Sequence, residues 1–490
     1  MRFIGDKNDR AGLPRQATRP PAGQAPEWAL RDWDVIVAGG GNAALVAALT
    51  ANDHGASVLI LERAPRHMRG GNTRHTRDIR CAHGEGPYTT GVYTLEESWD
   101  DIRKVGEGVN NEELAMFTVR EAMSVPDWMS AHGVLWQPPL SGTLHLGRTN
   151  LFFLGGGKAL VNAYYREAGR RPGITVAYDA KVEDLELDGE TCTAVTVQVG
   201  DALHRVRSGA VICACGGFEA NVEWLRRYWG DAADNYIIRG TPYNDGHVLA
   251  RLYDLGARSA GQAKGFHAIA LDARSPRFDG GIATRLDTIP FGLVVNKFGQ
   301  RFYDEGEDFW PKRYAIWGRN IAEQPDQIAY SFWDSKVNGQ FMPPMYGSNS
   351  SASIAELASG FGLDAEVVTR TIADFNASIA PGGNFDPAQL DGCRTKGLSP
   401  DKTNWALPLD TPPYYAIAMR PGITFTYMGV TVDADAHIVR EDGTRFRNVF
   451  AAGEIMSGNI LSTGYLAGFG LTIGAVWGRV AGKNAAADVH

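Results

Sequence analysis

The chain has few cysteines for its length, and their spacing excludes several kinds of redox centre. Its 490 residues include five cysteines, at positions 81, 192, 213, 215 and 393. None of them forms a CxxC or CxxCH pattern or a ferredoxin-like spacing, so this chain carries no iron–sulfur cluster and no c-type haem of its own. Because Cys213-Ala-Cys215 lies in an apolar run, it is better explained as two small buried residues than as a redox pair.

Long apolar runs and a surplus of positive charge are also missing. No stretch is apolar over the ~20 residues that a membrane span requires, and residues 1–30, which contain four prolines and several arginines, lack the apolar segment of a secretory signal. The formal net charge of −8 argues against a nucleic-acid partner, because phosphate binding needs a surplus of Lys and Arg. We therefore expect a cytoplasmic protein whose residues 1–30 form a flexible arm.

Glycine, in contrast, is abundant and clustered, and one cluster follows a buried strand. The β-branched run at residues 33–38 is typical of a parallel strand. It leads into a G-x-G-x-x-A turn formed by Gly39, Gly41 and Ala44, which allows a tight turn and a close approach of the backbone to a pyrophosphate. A second strand ends in Glu62, whose carboxylate would accept hydrogen bonds from ribose hydroxyls and repel a 2′-phosphate. The combination predicts a dinucleotide site.

Three further segments indicate FAD rather than NAD. Residues 211–218 (VICACGGF) resemble the ATGG strand and turn of two-dinucleotide-domain flavoproteins, and residues 448–454 (NVFAAGE) resemble their GLYAAGE segment. Residues 468–472 (GFGLT) begin a final small-residue helix, whose N–H groups would face the flavin pyrimidine oxygen. A nicotinamide enzyme has no need of a C-terminal element that returns to the N-terminal site.

Together with residues 70–73 (GGNT), these segments resemble the fumarate reductase/succinate dehydrogenase flavoprotein superfamily over nearly the whole chain from about residue 31. The runs GGNTRHTRDIRCAH, RFYDEGEDFWPKRYAIWGR and GYLAGFGLTIG are most similar to the tricarballylate dehydrogenase group, which also contains the flavoprotein half of an oxidative cobalamin-biosynthesis enzyme. The resemblance implies an α/β fold in which a Rossmann-like FAD-binding domain with a parallel sheet (residues 31–262 and 405–490) carries an inserted α+β capping domain (residues 263–404).

The resemblance also implies the residues that hold the cofactor. We expect these to be Gly39, Gly41, Asn42, Ala43, Glu62, Arg63, Gly70, Gly71, Asn72, Thr73, Gly216, Gly217, Gly453, Glu454, Gly470, Leu471 and Thr472. Some relatives attach FAD covalently through a histidine at the position of Thr73, so non-covalent FAD is expected here.

The reaction implied by the resemblance removes hydrogen from two adjacent carbons, as a hydride to the flavin and as a proton to a base. Arg313 follows a run (residues 299–305) that resembles the one preceding the proton-shuttle arginine of soluble fumarate reductases, although it lies farther along than in the relatives. Because arginine is a poor base, with a pKa above ~12, Glu305 or Asp304 would have to relay the proton. Arg319 is the second choice, and an ordinary salt bridge is the alternative role for Arg313.

Other candidate residues depart from the fumarate reductase pattern. His267 stands where relatives place a histidine that hydrogen-bonds a substrate carboxylate, although a structural role is the alternative. Tyr465 replaces the arginine with which relatives clamp a dicarboxylate, and this loss argues against fumarate or succinate as the substrate. The Tyr465 run also resembles the YPGxG run of 3-ketosteroid dehydrogenases. Tyr465 and Tyr427 are expected to be active-site hydroxyls or to pack beside the flavin.

A basic segment could supply the missing positive charge. Arg74, Arg77 and Arg80 recur every three residues, so on a helix they would share one face. With His75, this face is predicted to hold the carboxylates of a substrate such as tricarballylate. The alternative is a solvated run of charge.

Three functional hypotheses remain open. The first is FAD-dependent dehydrogenation of a small polycarboxylate, with tricarballylate to cis-aconitate as the type reaction and a separate protein or quinone as electron acceptor. The second is a flavin dehydrogenase or reductase acting on an enone or another neutral substrate. The third is a flavoprotein subunit that passes electrons to a partner during cofactor biosynthesis.

Overall fold

The computed structural model describes residues 25–107, 111–139, 145–280 and 283–489. In this part of the chain the strands are β1 (Trp33–Ala38), β2 (Val58–Leu61), β3 (Asp78–Arg80), β4 (Trp136–Gln137), β5 (Asn150–Phe153), β6 (Ile174–Ala177), β7 (Ala180–Asp188), β8 (Thr191–Val199), β9 (Ala202–Cys213), β10 (Ile237–Ile238), β11 (Ser259–Ala260), β12 (Phe266–Asp272), β13 (Leu293–Asn296), β14 (Ala329–Asp334), β15 (Asn349–Ser351), β16 (Tyr414–Thr426), β17 (Gly429–Val430), β18 (His437–Val439) and β19 (Arg445–Ala451).

The α-helices of the same residues are α1 (Asn42–Asp53), α2 (Leu95–Gly106), α3 (Glu112–Glu121), α4 (Val125–Ala131), α5 (Leu146–Thr149), α6 (Gly156–Arg170), α7 (Val222–Trp229), α8 (His247–Asp254), α9 (Trp310–Arg313), α10 (Trp317–Ala322), α11 (Ile354–Gly360), α12 (Ala365–Ala377) and α13 (Phe469–Asp488). Short 3₁₀ helices include Gly71–His75, Tyr314–Ile316 and Gly453–Asn459. Within the described ranges, none of the helices is long and apolar enough to cross a membrane.

The first sheet has a parallel centre in the order β19-β9-β1-β2-β6. Its Val- and Ile-rich strands β1 and β2 are almost wholly buried, as expected for parallel strands covered on both faces. The strand register places Ala38, Leu61, Cys213 and Ala451 side by side. The carboxyl ends of β1, β2, β9 and β19 therefore meet at one edge, which is where such sheets bind ligands.

The last helix closes this domain by packing along the first. A Cβ atom added to Gly478 would lie 2.7 Å from the carbonyl oxygen of Ala43, and one added to Gly482 would lie 2.4 Å from that of Ala47. These glycines therefore allow the backbones of α13 and α1 to approach closely. The Asn42 side chain, at the start of α1, donates a hydrogen bond of 3.0 Å to the carbonyl of Leu471 in α13.

The second sheet is organised around the long strand β16. This strand pairs with β10, β12, β14 and β15, and β13 extends the sheet beyond β14. The insertion predicted at residues 263–404 contains β12 to β15 of this sheet, whereas β10 precedes those boundaries and β16 follows them. The sheet is therefore built from strands that are far apart in the sequence.

The last residues of the predicted N-terminal arm, 25–30, lie in the described part of the chain. Residues 27–30 form a 3₁₀ turn in which Trp28 is buried, and the indole N–H of Trp33 donates a hydrogen bond of 2.9 Å to the Trp28 carbonyl. Residues 1–24 lie outside the described part of the chain.

Candidate active site

The glycine turn between β1 and α1 forms one wall of a large cavity. Gly39 has φ of +119°, and a Cβ atom there would lie only 2.3 Å from the carbonyl oxygen of Ala214. A side chain is therefore excluded by both conformation and space. Gly41, Asn42 and Ala43 line the cavity at the start of α1, where backbone N–H groups favour a bound anion.

Glu62 lies at the end of β2, beside this turn, and lines the same cavity. Its two carboxylate oxygens accept hydrogen bonds from the N–H groups of Ala64 (2.9 Å) and Gly70 (3.1 Å). Burial raises its pKa, and these two hydrogen bonds oppose the rise. Each oxygen retains a further lone pair, which is the acceptor that a ribose hydroxyl requires.

A buried pair of carboxyl groups lies where β9 and β19 end. Glu219 accepts hydrogen bonds from the side-chain amides of Asn72 (2.5 Å) and Asn244 (2.7 Å), while Glu454 accepts one from the N–H of Thr426 (2.8 Å). Burial raises the pKa of Glu219 to about 7, and burial together with the neighbouring Glu219 raises that of Glu454. Burial therefore favours a proton on this pair, compared with two exposed carboxyl groups.

Three arginines from separate segments line the part of the cavity next to the second sheet. Arg77 follows the 3₁₀ helix Gly71–His75, Arg239 follows β10, and Arg285 follows β12. The Arg285 guanidinium pairs with Asp287 (2.6 Å), and that of Arg77 lies 3.3 Å from Asp78. Arg285 and Arg77 thus each have a carboxylate nearby, and Nη1 of Arg239 donates a hydrogen bond of 3.1 Å to the Thr424 hydroxyl.

The arginines oppose one another electrostatically. Burial lowers the pKa of Arg239 to about 10, and Arg285 and Arg77 contribute to that decrease. Nε of Arg285 and Nη2 of Arg77 are buried without a hydrogen-bond partner among the described residues. An anion in the cavity would satisfy these donors and relieve the repulsion.

His267 lies at the start of β12, among these charges. Burial, together with Arg239 and Arg285, lowers its pKa well below the usual value, so the imidazole is neutral. Its ring stacks on Tyr465, with centroids 4.1 Å apart, and meets the ring of Tyr314 edge-on at 5.1 Å. Neither ring nitrogen has a partner in the described structure, which leaves one donor and one acceptor for a ligand.

Tyr465 and Tyr314 contribute the two phenol groups that lie beside His267 in the cavity. The Tyr465 oxygen accepts a hydrogen bond of 2.9 Å from the N–H of Gly470, so its own proton is directed elsewhere. Burial raises the pKa of Tyr314 to about 12, while Arg239 and Arg285 act in the opposite direction. The Arg285 guanidinium carbon lies 5.3 Å from the centre of the Tyr314 ring.

Comparison with known proteins now identifies the family. The model of a family described as FAD binding domain matches residues 34–471. The chain belongs to this family. It is an FAD-dependent oxidoreductase of the fumarate reductase/succinate dehydrogenase flavoprotein superfamily.

Similar proteins act on different substrates. The chain is 26% identical to the NADH:fumarate oxidoreductase of Klebsiella pneumoniae over 93% of its own length, but it spans only 48% of that enzyme. It is also 26% identical to the urocanate reductase of Eggerthella lenta, over 95% of this chain and 76% of the reductase. The solved 3-ketosteroid-Δ4-(5α)-dehydrogenase of Rhodococcus jostii shares the fold, with a TM-score of 0.73, 20% identity and coverage of 97% of this chain and 99% of the dehydrogenase.

The FAD prediction is confirmed by the family match, and most of the predicted cofactor residues line the cavity. Gly70, Gly217 and Thr472 are not among the lining residues in the described ranges. Gly70 and Gly217 are instead required by packing, since an added Cβ would lie 2.8 Å from Val161 Cγ1 or 2.1 Å from Thr426 Oγ1. The Thr472 hydroxyl donates to the carbonyl of Arg80.

The predicted arginine face does not form. The 3₁₀ helix ends at His75, and Asp78–Arg80 is a strand, so side chains alternate in direction there. His75 and Arg77 line the cavity, whereas Arg74 faces an outer pocket. Arg80 is buried against Asp101, at 2.7 Å.

The catalytic candidates divide in the same way. His267 and Tyr465 line the cavity, but Arg313, Glu305 and Tyr427 are absent from its lining in the described ranges. Arg313 pairs with Glu307 (2.9 Å). Glu305 pairs with Arg301 (2.6 Å) and accepts a backbone N–H, so both of its oxygens are used structurally. The fallback, Arg319, is likewise not a lining residue.

Proposed function

We propose that this flavoenzyme removes a hydride and a proton from adjacent carbons of a small polycarboxylate of the tricarballylate type. The observation that carries the proposal is the convergence of Arg77, Arg239 and Arg285 on one cavity with unsatisfied donors. Arginine is the residue best suited to bidentate carboxylate binding. A carboxylate oxygen is the acceptor that the buried donors Nε of Arg285 and Nη2 of Arg77 would bind most strongly.

The arrangement divides the work of the reaction among the residues. FAD, when bound, supplies the hydride acceptor. The arginines orient the carboxylates, and neutral His267 can donate a hydrogen bond to a carboxylate oxygen. The fumarate named for the Klebsiella relative is a dicarboxylate, which is consistent with this substrate class.

We assign the proton-transfer role to Tyr314 in place of Arg313. Tyr314 lines the cavity between His267 and Arg285, whereas its neighbour Arg313 points to Glu307. Burial raises the pKa of Tyr314 to about 12, so Tyr314 must first release its own proton; Arg239 and Arg285 oppose the rise and would stabilise the phenolate that then accepts the substrate proton.

A carbonyl-bearing substrate is the second candidate. The Gly470 N–H holds the Tyr465 oxygen, so the Tyr465 proton can be donated to a ketone oxygen. The 3-ketosteroid dehydrogenase with the same fold acts on a ketone, according to its name.

Anaerobic mixing of the FAD-loaded protein with candidate substrates distinguishes the two. We expect tricarballylate to bleach the flavin absorbance near 450 nm (a property of flavins) and a neutral cyclic ketone to leave it unchanged. Bleaching by the ketone alone would overturn the first proposal.

Two adjacent substitutions test the proton transfer. Tyr314→Phe should slow tricarballylate-dependent bleaching by about 100-fold or more, the usual contribution of an acid–base group. Arg313→Ala serves as the matched control and should retain bleaching and FAD. The opposite pattern would return the role to Arg313.

A further inference from the structure

An outer basic pocket lies on the other side of the 3₁₀ helix Gly71–His75 from the FAD cavity. Its charged lining in the described chain consists of Arg66, His67, Arg69, Arg74 and Lys158. No acidic side chain lines it within the described ranges, although the whole chain has a net charge of −8. The pocket is therefore a local reversal of the overall charge.

The wall between the pocket and the FAD cavity is thin. Thr73 lines the cavity and Arg74 lines the outer pocket, so the two surfaces begin at adjacent residues, whose Cα atoms are about 3.8 Å apart. A Cβ on Gly157 of α6 would lie 2.0 Å from the carbonyl oxygen of Thr73, so α6 packs directly on this wall. The outer pocket and the cavity therefore share the 3₁₀ helix Gly71–His75 as part of their walls.

Several of the cations are held in place. The Arg69 guanidinium lies over the Tyr165 ring, 4.5 Å from its centre, and donates a hydrogen bond of 3.0 Å to Asn162. Arg74 donates one of 3.0 Å to the carbonyl of His67. Within the described ranges neither arginine forms a salt bridge, although Arg69 acts electrostatically on the buried Glu62, so both guanidinium groups can still pair with an incoming anion.

We propose that this outer pocket is the docking site of an acidic electron-carrier protein that exchanges electrons with the FAD. The inference rests on the proposed function to the extent that a dehydrogenase must dispose of two electrons per turnover. The five cysteines do not have the spacing of an iron–sulfur site, so they provide no recognisable cluster site that could take those electrons. Two one-electron carriers remove the two electrons in succession, and the proton carried by the reduced FAD is released to solvent.

Charge complementarity selects an acidic protein as the occupant. A concentrated patch of one sign raises the association rate of an oppositely charged partner by about 10 to 1,000-fold, and this gain falls steeply with ionic strength. The thin wall places the docked redox centre near the FAD, which matters because electron transfer slows sharply with distance.

The test uses a plant-type [2Fe–2S] ferredoxin, an acidic one-electron protein, as the probe. Its potential of about −400 mV makes electron transfer to oxidised flavin downhill. Reduced ferredoxin is mixed anaerobically with the FAD-loaded enzyme in the absence of substrate, and flavin bleaching is followed at several salt concentrations. Because no substrate is present, the result is independent of the proposed reaction.

Charge reversal at the pocket should remove the steering. At low salt, we expect flavin bleaching in Arg74→Glu/Lys158→Glu to be at least 10-fold slower than in the wild type. Added salt should slow bleaching of the wild type but should leave the rate of this variant unchanged. The control is Arg103→Glu/Arg370→Glu, which makes the same charge change on α2 and α12, at exposed positions outside the pocket. This control should stay within twofold of the wild type.

Two results would overturn the proposal. One is an equal rate for the wild type and Arg74→Glu/Lys158→Glu at low salt, and the other is an equal loss in the control. Reduction by dithionite, which needs no docked protein, should be the same in all three proteins and verifies that the FAD site is intact.

Discussion

Replacing Arg285 with Ala should weaken the binding of a polycarboxylate without removing FAD. The substitution deletes one of three converging cations and the buried Nε that has no partner in the described structure. It also leaves Asp287 with the indole N–H of Trp310 (2.5 Å) as its remaining strong donor. The effect on ligand binding is therefore accompanied by a cost in stability.

The magnitude follows from the contacts that are lost. A hydrogen bond to a charged group contributes about 1.5–3 kcal/mol, and about 1.4 kcal/mol corresponds to a tenfold change in affinity. The dissociation constant should therefore rise about 10 to 150-fold. The lower part of this range is expected, because removal of one cation also relieves the repulsion that lowers the pKa of Arg239 and Arg77.

Citrate is a suitable probe, because its central carbon carries no hydrogen and it cannot be desaturated there. Its binding to the oxidised enzyme can be titrated through the change in the flavin spectrum. Arg274→Ala is the matched control, since Arg274 pairs with buried Asp272 at 2.6 Å but lies outside the cavity lining of the described chain. Thermal unfolding should show a loss of stability in both variants. Unchanged citrate affinity in Arg285→Ala, or an equal loss in Arg274→Ala, would refute the assignment of the site.

Three further outcomes are expected. Gly478→Ala should reduce stability by about 1–3 kcal/mol through overpacking. Gly360→Ala is the control, since its added Cβ would meet no atom within 4 Å, and it should be neutral or mildly stabilising. Thermal unfolding measures both variants, and equal effects would contradict the packing argument. Because burial raises the pKa of Glu219 to about 7, the folded state binds more protons than the unfolded state between the ordinary value of 4.5 and 7, and stability from this group is lost as pH rises through 7. Glu219→Gln should therefore raise the melting temperature relative to the wild type more at pH 8 than at pH 5, and a difference that is constant with pH would exclude the shift. Acid precipitation should release the flavin into the supernatant, since Thr73 stands where a covalent link would require histidine; flavin retained on the pellet would show a covalent bond elsewhere.

The FAD-binding half could be predicted because its signals are local. Gly39 is required by a positive φ and by contact with Ala214, and Glu62 is fixed by two nearby N–H groups. Each of these constraints requires a particular residue type at a fixed number of residues from the end of a strand, so it can be recognised in the sequence. The return of α13 was predictable for the same reason, since its small residues are those that close helix packing requires.

The substrate end could not be predicted in the same way. Arg74, Arg77 and Arg80 are evenly spaced, but the chain changes from a 3₁₀ helix to a strand between them, so only Arg77 reaches the cavity. Arg239 and Arg285 carry no motif. Their positions depend on the pairing of β10 and β12 with β16, which brings distant segments together and leaves no pattern in the local sequence.

The positions of Arg239 and Arg285 change what the tyrosine at position 465 indicates about the substrate. Its replacement of the relatives' clamp arginine argued against a dicarboxylate, but the guanidinium groups of Arg239 and Arg285 lie close enough to His267 to lower its pKa, and His267 stacks on Tyr465 itself. Under the proposed function, these arginines would bind the substrate carboxylates, and Tyr465 would place a phenol at the position that the resemblance assigns to the arginine. A substrate bound by Arg239 and Arg285, beside the second sheet, would meet an uncharged donor at Tyr465. Its carboxylates would therefore lie at different positions from those of fumarate. If the proposed function holds, the substrate specificity of this chain depends on the segments that carry Arg239 and Arg285 as well as on Tyr465.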